Sequence, residues 1–458
     1  MGENSTLQSV LFGSGFGRPV VAVFDQPVSS SDAGALLFKP VDERLGLTRS
    51  LAGALVDERD PRRVRHAQID LLRQRVFAMA CGYEDANDAS RLRVDPIQKL
   101  LVGRDPVTGA ALASQPTISR FENGLTARSV HRLGASLAKA VITRHARRLR
   151  KRAERIIIDI DATFDEAHGQ QQGVLFNGFY GAHGYLPLLA FLQFADESEQ
   201  YLVSALLRPG TASSKVGVMS LLRNLISRVT KAFPKSELLL RADGGFATPE
   251  LFDYLERRRV GFVIAMGGNS ALQEFALPGL EKARLLSEAS GESERVYADA
   301  QYQAKSWPHS RRAVIKTEVT RYPGREPRDN ARYVITDLTG DAKSVYELVY
   351  NRRGDVENRI KELKDALRMD RTSCSSFLTN QARVIMHAAA FVLYQDLRLH
   401  AAGTSLARAQ VTTLRERLIK LGGWIKRSTR RIVIHLPQDA PWRKEWITIA
   451  NSLLAPPG

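Results

Sequence analysis

Three acidic residues fall where predicted strands end. Residues 155–160 form a β-branched run that predicts a buried strand, and Asp159 and Asp161 close it, two residues apart and therefore on one face. Asp243 follows a second short run, residues 237–241, and precedes two glycines that permit a ligand to approach closely. Because open α/β sheets place their sites at the carboxyl ends of strands, these carboxylates are candidates for a single site.

A predicted long helix over residues 342–367 supplies a fourth acid. One face of this helix carries, at offsets of 0, +3, +7 and +14, Tyr350, Arg353, Glu357 and Lys364. At about 100° per residue these side chains lie within roughly 60° of one another, and Lys361 lies on the same stripe. The alternative is a solvent-facing stripe with (i, i+4) ion pairs, such as Arg353 with Glu357.

Converging carboxylates repel one another and therefore need cations. At 4 Å and an effective dielectric near 20, one like-charged pair costs about 4 kcal/mol. Two divalent ions about 3.5–4 Å apart would relieve this cost, activate an attacking oxygen and stabilise the leaving oxygen at a phosphodiester. Hard oxygen ligands suit Mg²⁺, with Mn²⁺ as a substitute. The nine histidines form no HExxH motif and no GxxxxGK[ST] loop occurs, which argues against zinc and against an ATP-driven mechanism.

The composition indicates a polyanionic partner, nucleic acid first. The 458 residues include 66 Lys and Arg against 49 Asp and Glu, a formal net charge of +17, and the 44% apolar fraction is typical of a globular protein. Only two cysteines occur, Cys81 and Cys374, which excludes a disulfide scaffold and suits a reducing cytoplasm. The apolar runs are too short to span a membrane and the first ten residues lack a signal-peptide pattern. We therefore expect a cytoplasmic, nucleoid-associated protein without a membrane partner.

The positive charge is concentrated in three blocks. They comprise Arg59, Arg62, Arg63, Arg65, Arg73 and Arg75; Arg144, Arg147, Arg148, Arg150, Lys151, Arg152 and Arg155; and Arg415, Arg417, Lys420, Lys426, Arg427, Arg430 and Arg431. Such blocks commonly follow a phosphate backbone, although solvated helix faces are an equally good explanation for any one of them.

The strands and helices predicted around these candidate residues indicate an α/β protein of five parts. The first part is mostly helical, and the second has the order β-β-β-α-β-α-β, with its five strands at residues 155–160, 185–194, 201–207, 237–241 and 261–266. A β-rich insertion, the helix with Glu357, and a basic helical region follow. The five parts span residues 1–150, 151–266, 267–341, 342–400 and 401–458.

The N-terminal part contains a predicted strand at residues 20–24 and a candidate recognition helix at residues 113–123. The helix sequence includes Arg120 among small and polar side chains that could reach into a major groove, with Ser114 as a cap and Pro116 in the first turn. An ordinary amphipathic helix explains the same pattern equally well. We expect this part to bind DNA.

Taken together, the pattern resembles the RNase H-like core of DDE transposases, with one Asp on the first strand, one after the fourth strand and a Glu on the helix after an insertion. The spacing of Tyr350, Arg353, Glu357 and Lys364 is similar to the Tyr-Arg-Glu-Lys signature of one class of bacterial insertion-sequence transposases. Five further stretches resemble the insertion-sequence group numbered thirteen-eighty: residues 82–88, 159–163, 169–173, 177–180 and 184–188. The resemblance covers about residues 60–440.

The resemblance implies an insertion-sequence transposase. It would bind terminal inverted repeats in double-stranded DNA, cleave strands with a metal and transfer them to target DNA, by cut and paste through a hairpin, as a homodimer. Asp243 and Glu357 match the second and third catalytic and metal-binding acids. The first is Asp161 or Asp159, and the family's Asp-x-Thr pattern in Asp161-Ala-Thr163 favours Asp161.

Other roles come from the same resemblance. Tyr350, Arg353 and Lys364, with Lys361 on their face, would contact the DNA or its phosphates. Trp307 would stack on a flipped base, unless it is a core residue of the insertion. Two other functions stay open: a catalytically inactive DNA-binding relic or repressor, and an RNase H-like nuclease without strand transfer.

Overall fold

The computed structural model describes residues 9–12, 20–23, 25–194 and 197–455. The strands are β1 (Ser9–Phe12), β2 (Val20–Val23), β3 (Ser29–Ser30), β4 (Arg155–Ala162), β5 (Asp165–Glu166), β6 (Leu175–Asn177), β7 (Ala182–Tyr185), β8 (Leu188–Phe194), β9 (Tyr201–Leu206), β10 (Glu237–Ala242), β11 (Gly261–Met266), β12 (Glu294–Tyr302), β13 (Arg311–Thr320), β14 (Arg328–Thr336), β15 (Gly423–Arg427) and β16 (Ile432–His435). Phe24, the last residue of the predicted N-terminal strand, and residues 1–8 lie outside the described residues.

The α-helices are α1 (Phe38–Leu45), α2 (Leu47–Ala52), α3 (Gln68–Ala80), α4 (Ala89–Leu92), α5 (Pro96–Val102), α6 (Gln115–Asn123), α7 (Ala127–Arg148), α8 (Val218–Ala232), α9 (Pro249–Arg258), α10 (Ser270–Ser290), α11 (Ala342–Ser344), α12 (Gly354–Lys361), α13 (Phe377–His400), α14 (Val411–Leu414) and α15 (Arg443–Leu454). Among the described residues, no helix combines the length and the apolar character needed to cross a membrane.

A mixed eight-stranded sheet with the order β12-β13-β14-β11-β10-β4-β8-β9 forms the centre. Strands β4, β10 and β11 are parallel to one another, whereas all other neighbours are antiparallel. All five predicted strands contribute residues to this sheet, although Tyr185, the first residue of the predicted strand 185–194, belongs to β7 in a separate sheet of β5, β7 and β6. The predicted strand at residues 185–194 is divided, because Pro187 separates β7 from β8 and has no N–H to donate to a ladder.

The sheet is larger than the five predicted strands because the insertion extends it. Strand β14 pairs with β11, and β13 and β12 continue the ladder outward. The expectation of a β-rich insertion misses α10, a helix of 21 residues that precedes these strands and that Asn269 caps by accepting from the N–H of Leu272. Helix α10 contains Pro278 and Gly279, which act against a helix prediction. Gly279 lies against Thr317, where a Cβ atom would be 2.7 Å from the hydroxyl oxygen.

Helices share the core of the sheet. Helix α13 is buried along almost its whole length and packs against β9, α3 and α7, so the N-terminal helices and the sheet bury their apolar side chains in one continuous cluster. The C-terminal part contains helix α15 and the strands β15 and β16, which form a small sheet with β3. This part is therefore mixed rather than helical alone.

Candidate active site

Two of the predicted acids meet at the ends of adjacent parallel strands. Strands β4 and β10 are in register with Asp159 opposite Arg241, so Asp161 and Asp243 follow at the same level. The N–H of Ala162 donates to Asp161 (2.9 Å), and the N–H of Gly245 donates to Asp243 (2.9 Å). A Cβ atom at position 245 would lie 3.1 Å from Asp243 Oδ1, which is a tight contact.

Arg353 bridges these two carboxylates. Its Nη2 atom lies 2.7 Å from Asp161 Oδ1 and 3.6 Å from Asp243 Oδ2. Asp161 is only 8% exposed. Burial raises the pKa of Asp161 to about 6, the guanidinium of Arg353 acts to lower it, and the charges of Asp243 and Glu357 raise it further. The ionised form of Asp161 is therefore unfavourable in this site, and a nearby cation stabilises it.

Four residues of the helix face predicted from spacing line the same cleft, whereas the fifth, Tyr350, does not. The cleft has a volume of about 530 Å³, and its charged lining residues are Asp161, Asp243, Arg353, Glu357, Lys361, Lys364 and Asp365. Glu357 is exposed. Lys364 Nζ donates to the carbonyl oxygen of Phe164 (2.6 Å) and lies 3.4 Å from Asp165 Oδ1. Burial raises the pKa of Asp165 to about 7, against the charge of Lys364. Lys364 thus ties the helix to the segment that follows β4.

The helical segment that carries this face is irregular. It consists of α11, a wide π-type stretch (Val345–Tyr350), a tight 3₁₀ turn (Asn351–Arg353), α12 and a second π-type stretch (Glu362–Ala366). Such bulges in helices are frequent at functional sites. Burial raises the pKa of Tyr350, whose ring lies 5.4 Å from that of Tyr346.

Asp159 occupies a different environment from Asp161. It is fully buried, and Arg241 Nε and Nη2 donate to its two carboxylate oxygens at 2.7 Å each. Arg241 also donates to Gln193 Oε1 (2.8 Å) and to the carbonyl oxygen of Val349 (3.0 Å). Burial raises the pKa of Asp159, and Arg241 acts to lower it. This buried pair joins three strands to the helical segment, and Asp159 does not line the cleft.

The chain also matches a known protein family. Residues 12–456 match the family described as transposase DDE domain group 1. The chain belongs to this family. Among solved structures, it is similar to the piggyBac transposase in a synaptic complex with hairpin DNA, at 11% identity and a TM-score of 0.39, over 85% of this chain and 79% of that chain. A comparison with curated proteins gives no match.

Two other predicted residues of the transposase lie outside the cleft. Trp307 is 6% exposed and packs between Phe252 and Tyr302, with ring centroids 5.2 and 5.3 Å apart, and Arg311 lies over its ring. Trp307 therefore occupies a core position, which was the alternative to stacking on a flipped base. Arg120 is exposed on α6, which begins after Ser114 as expected, although the Ser114 side chain makes no cap hydrogen bond.

Sequence reasoning did not single out three aromatic residues beside the cleft of the transposase. Phe164 stacks on Tyr180 at 4.4 Å, and Phe179 is 89% exposed. Burial and the negative charges of Asp161 and Asp243 raise the pKa of Tyr180. The signal in the sequence is the stretch of residues 177–180, which contains Phe179 and Tyr180 and is part of the family resemblance.

The donor chemistry of the cleft suits a hard divalent cation. Asp161, Asp243 and Glu357 offer only carboxylate oxygens, which Mg²⁺ and Mn²⁺ prefer. Among the described residues, however, no three acidic, histidine or cysteine side chains form a group able to hold a metal ion. The guanidinium of Arg353 takes the bridging position between the two aspartates. A cation between them therefore requires Arg353 to move.

Proposed function

We propose that this transposase binds the inverted-repeat ends of an insertion sequence, cleaves DNA strands there and transfers them to target DNA. The observation that carries the proposal is the meeting of Asp161 and Asp243 at the ends of parallel strands, in one cleft with Glu357. Asp161 is the first catalytic acid in this proposal. Asp159 is neutralised by Arg241 in the core and has no path to a substrate.

An RNase H-like core is the fold that supports this assignment best. The five strands β11-β10-β4-β8-β9 have the first acid on the first strand along the chain, β4, and the second acid after the fourth strand, β10. Residues 267–341 are then the insertion, and the helical segment after it presents Glu357. The domain bounds proposed from the sequence place the N-terminal helices, including Arg120 on α6, in the DNA-binding part.

A divalent cation held by Asp161, Asp243 and Glu357, Mg²⁺ or Mn²⁺, would activate the attacking oxygen and stabilise the leaving oxygen. The chain's own contribution is to gather the acids and to supply cations for the DNA. Arg353 neutralises the aspartates until DNA arrives and then contacts a phosphate, together with Lys361 and Tyr350. Lys364 holds the segment after β4 in place and adds positive charge to the cleft. Such phosphate contacts position the strand.

The remaining details of the proposal follow the class with the Tyr-Arg-Glu-Lys signature. The freed 3′-hydroxyl attacks the opposite strand to form a hairpin, and a homodimer holds the two ends together. The protein acts in the bacterial cytoplasm on the nucleoid, and Trp307 is assigned to the core rather than to a flipped base.

The test is strand cleavage by Glu357→Gln on a duplex that carries the end of the element, in Mg²⁺. We expect cleavage to fall by about 100-fold or more, the size of loss seen when a preorganised charge partner of the transition state is removed. DNA binding should persist. Asp355→Asn is the matched control, because Asp355 is an exposed acid on the same helix that does not line the cleft.

Three outcomes would contradict the proposal. Undiminished cleavage by Glu357→Gln with normal DNA binding would remove Glu357 from the site. DNA binding by the wild-type chain without any cleavage would identify a relic or repressor. Cleavage without joined products would identify a nuclease.

A further inference from the structure

The C-terminal strands β15 and β16 form a ribbon with a strongly basic tip. We call residues 423–435 the basic ribbon. It contains Lys426, Arg427, Arg430 and Arg431 and no acidic residue, and residues 426–432 are all exposed. The turn closes through the N–H of Ser428, which donates to the carbonyl oxygen of Arg431 (2.9 Å).

The structure separates these cations from the rest of their sequence block. Arg415 donates to the carbonyl oxygen of Ala366, Arg417 lies over the ring of Trp442, and Lys420 pairs with Asp32. These three therefore have structural roles within the fold.

The ribbon cations have fewer partners. Arg427 pairs with Asp105 at 2.7 Å, and Lys426 lies over the ring of Trp424. Among the described residues, Lys426, Arg430 and Arg431 have no acidic partner within 4.0 Å. The other two blocks contain many neutralised arginines, such as Arg75 with Glu122 and Arg144 with Asp396.

The base of the ribbon is anchored while its tip projects. Strand β15 pairs with β3 only through Gly423 and Trp424, and Ile425 is buried. Trp424 stacks on His435 at 4.0 Å across the two strands. The tip from Lys426 onward is exposed, although Arg427 pairs with Asp105, and it has the geometry of a two-stranded ribbon that a major groove can accept.

We propose that the basic ribbon, which does not line the catalytic cleft, is a DNA-binding arm that contacts the phosphate backbone of duplex DNA, with Lys426, Arg430 and Arg431 as its phosphate contacts. This inference rests on the proposed function for the identity of the polyanion. The physical reason is that three cations without acidic partners on an ordered ribbon release counterions from DNA at little cost in chain entropy.

The test is the salt dependence of duplex binding by the full chain and by the triple variant Lys426→Ala, Arg430→Ala, Arg431→Ala, in EDTA so that no strand is cut. Three lost phosphate contacts should make the slope of log K against log salt less steep by about 2.7. Between 50 and 200 mM salt, the wild-type chain should then lose about 40-fold more affinity than the triple variant.

A matched control removes three exposed cations of the insertion, residues 267–341: Lys305→Ala, Arg325→Ala, Arg328→Ala. Its slope should stay close to that of the wild-type chain. An equal change in both triple variants would show that only net charge matters and would overturn the proposal. A single Arg430→Glu variant with unchanged slope and affinity, or a wild-type chain that binds duplex DNA without salt dependence, would also overturn it.

The outcome is separable from that of the proposed function. If the ribbon variants change the slope of log K against log salt but the wild-type chain cuts no DNA in Mg²⁺, the DNA-binding role of the ribbon is supported and the transposition proposal fails. If the wild-type chain cuts and joins DNA while the slopes agree, only the arm fails.

Discussion

Replacing Asp161 with asparagine is expected to make the unfolding free energy of the transposase less sensitive to pH. In the folded chain, burial raises the pKa of Asp161 to about 6 from an ordinary 3.8. Each pKa unit corresponds to about 1.36 kcal/mol, so the ionised carboxylate costs the fold about 3 kcal/mol.

The sign follows from where the proton is bound. Below pH 3.8 the carboxyl is protonated in both states and costs nothing. As the pH rises to about 6, the unfolded chain releases this proton first, so stability falls, and above pH 6 the full penalty persists. About 2 kcal/mol of the loss falls between pH 4.5 and pH 8. Asparagine has no such proton and removes this part of the pH dependence.

Denaturant unfolding at these two pH values, in EDTA, measures the effect. The difference in unfolding free energy between the two pH values should be about 2 kcal/mol smaller for Asp161→Asn than for the wild-type chain. Asp355→Asn, at an exposed position on α12, should behave as the wild-type chain. If Asp161→Asn and the wild-type chain lose stability in parallel, the reasoning about this buried carboxylate is refuted.

Three further predictions concern the groups around Asp161. Arg241→Met leaves the carboxylate of Asp159 buried without its partner and should lower the unfolding free energy by about 3–5 kcal/mol, and an effect under 1 kcal/mol would contradict its assigned role. Arg353→Ala removes the cation that lowers the pKa of Asp161 before DNA binds, so the acid limb of the pH profile of kcat/KM, which reports the free enzyme, should move to higher pH. An unmoved acid limb would show that Arg353 does not act on the pKa of Asp161. At pH 8, Mg²⁺ at ten times its dissociation constant should raise the unfolding free energy of the wild-type chain by about 1.4 kcal/mol and leave that of Asp243→Asn unchanged. Denaturant unfolding measures both values, and equal stabilisation of the two chains would place the cation elsewhere.

The strands and their acids could be predicted because their signal is local. Short apolar runs bounded by turn residues identify β4, β10 and β11, and the carboxyl ends of parallel strands share one edge of the sheet. Helical periodicity likewise predicts that Arg353, Glu357 and Lys364 share one face of the helix, and all three line the cleft. Tyr350, at the end of the first π-type stretch, belongs to the predicted face but does not line the cleft.

What the sequence could not provide depends on neighbours distant along the chain. The partner of Asp159 is Arg241, 82 residues later, and only the register of β4 with β10 brings them together. Helix α10 was missed because Pro278 and Gly279 act against it locally, while packing against the strands of the insertion favours it. The division of the basic block between fold contacts and the basic ribbon also requires the tertiary structure.

The central claim is that this transposase cuts and joins DNA at the cleft of Asp161, Asp243 and Glu357. The most direct measurement is incubation of the purified chain with the genomic DNA that flanks its gene, in Mn²⁺, followed by mapping of every new strand end and junction. We predict breaks with 3′-hydroxyl ends at the borders of inverted repeats and junctions of these ends to new sites. Uncut DNA, or scattered breaks without junctions, would contradict the account.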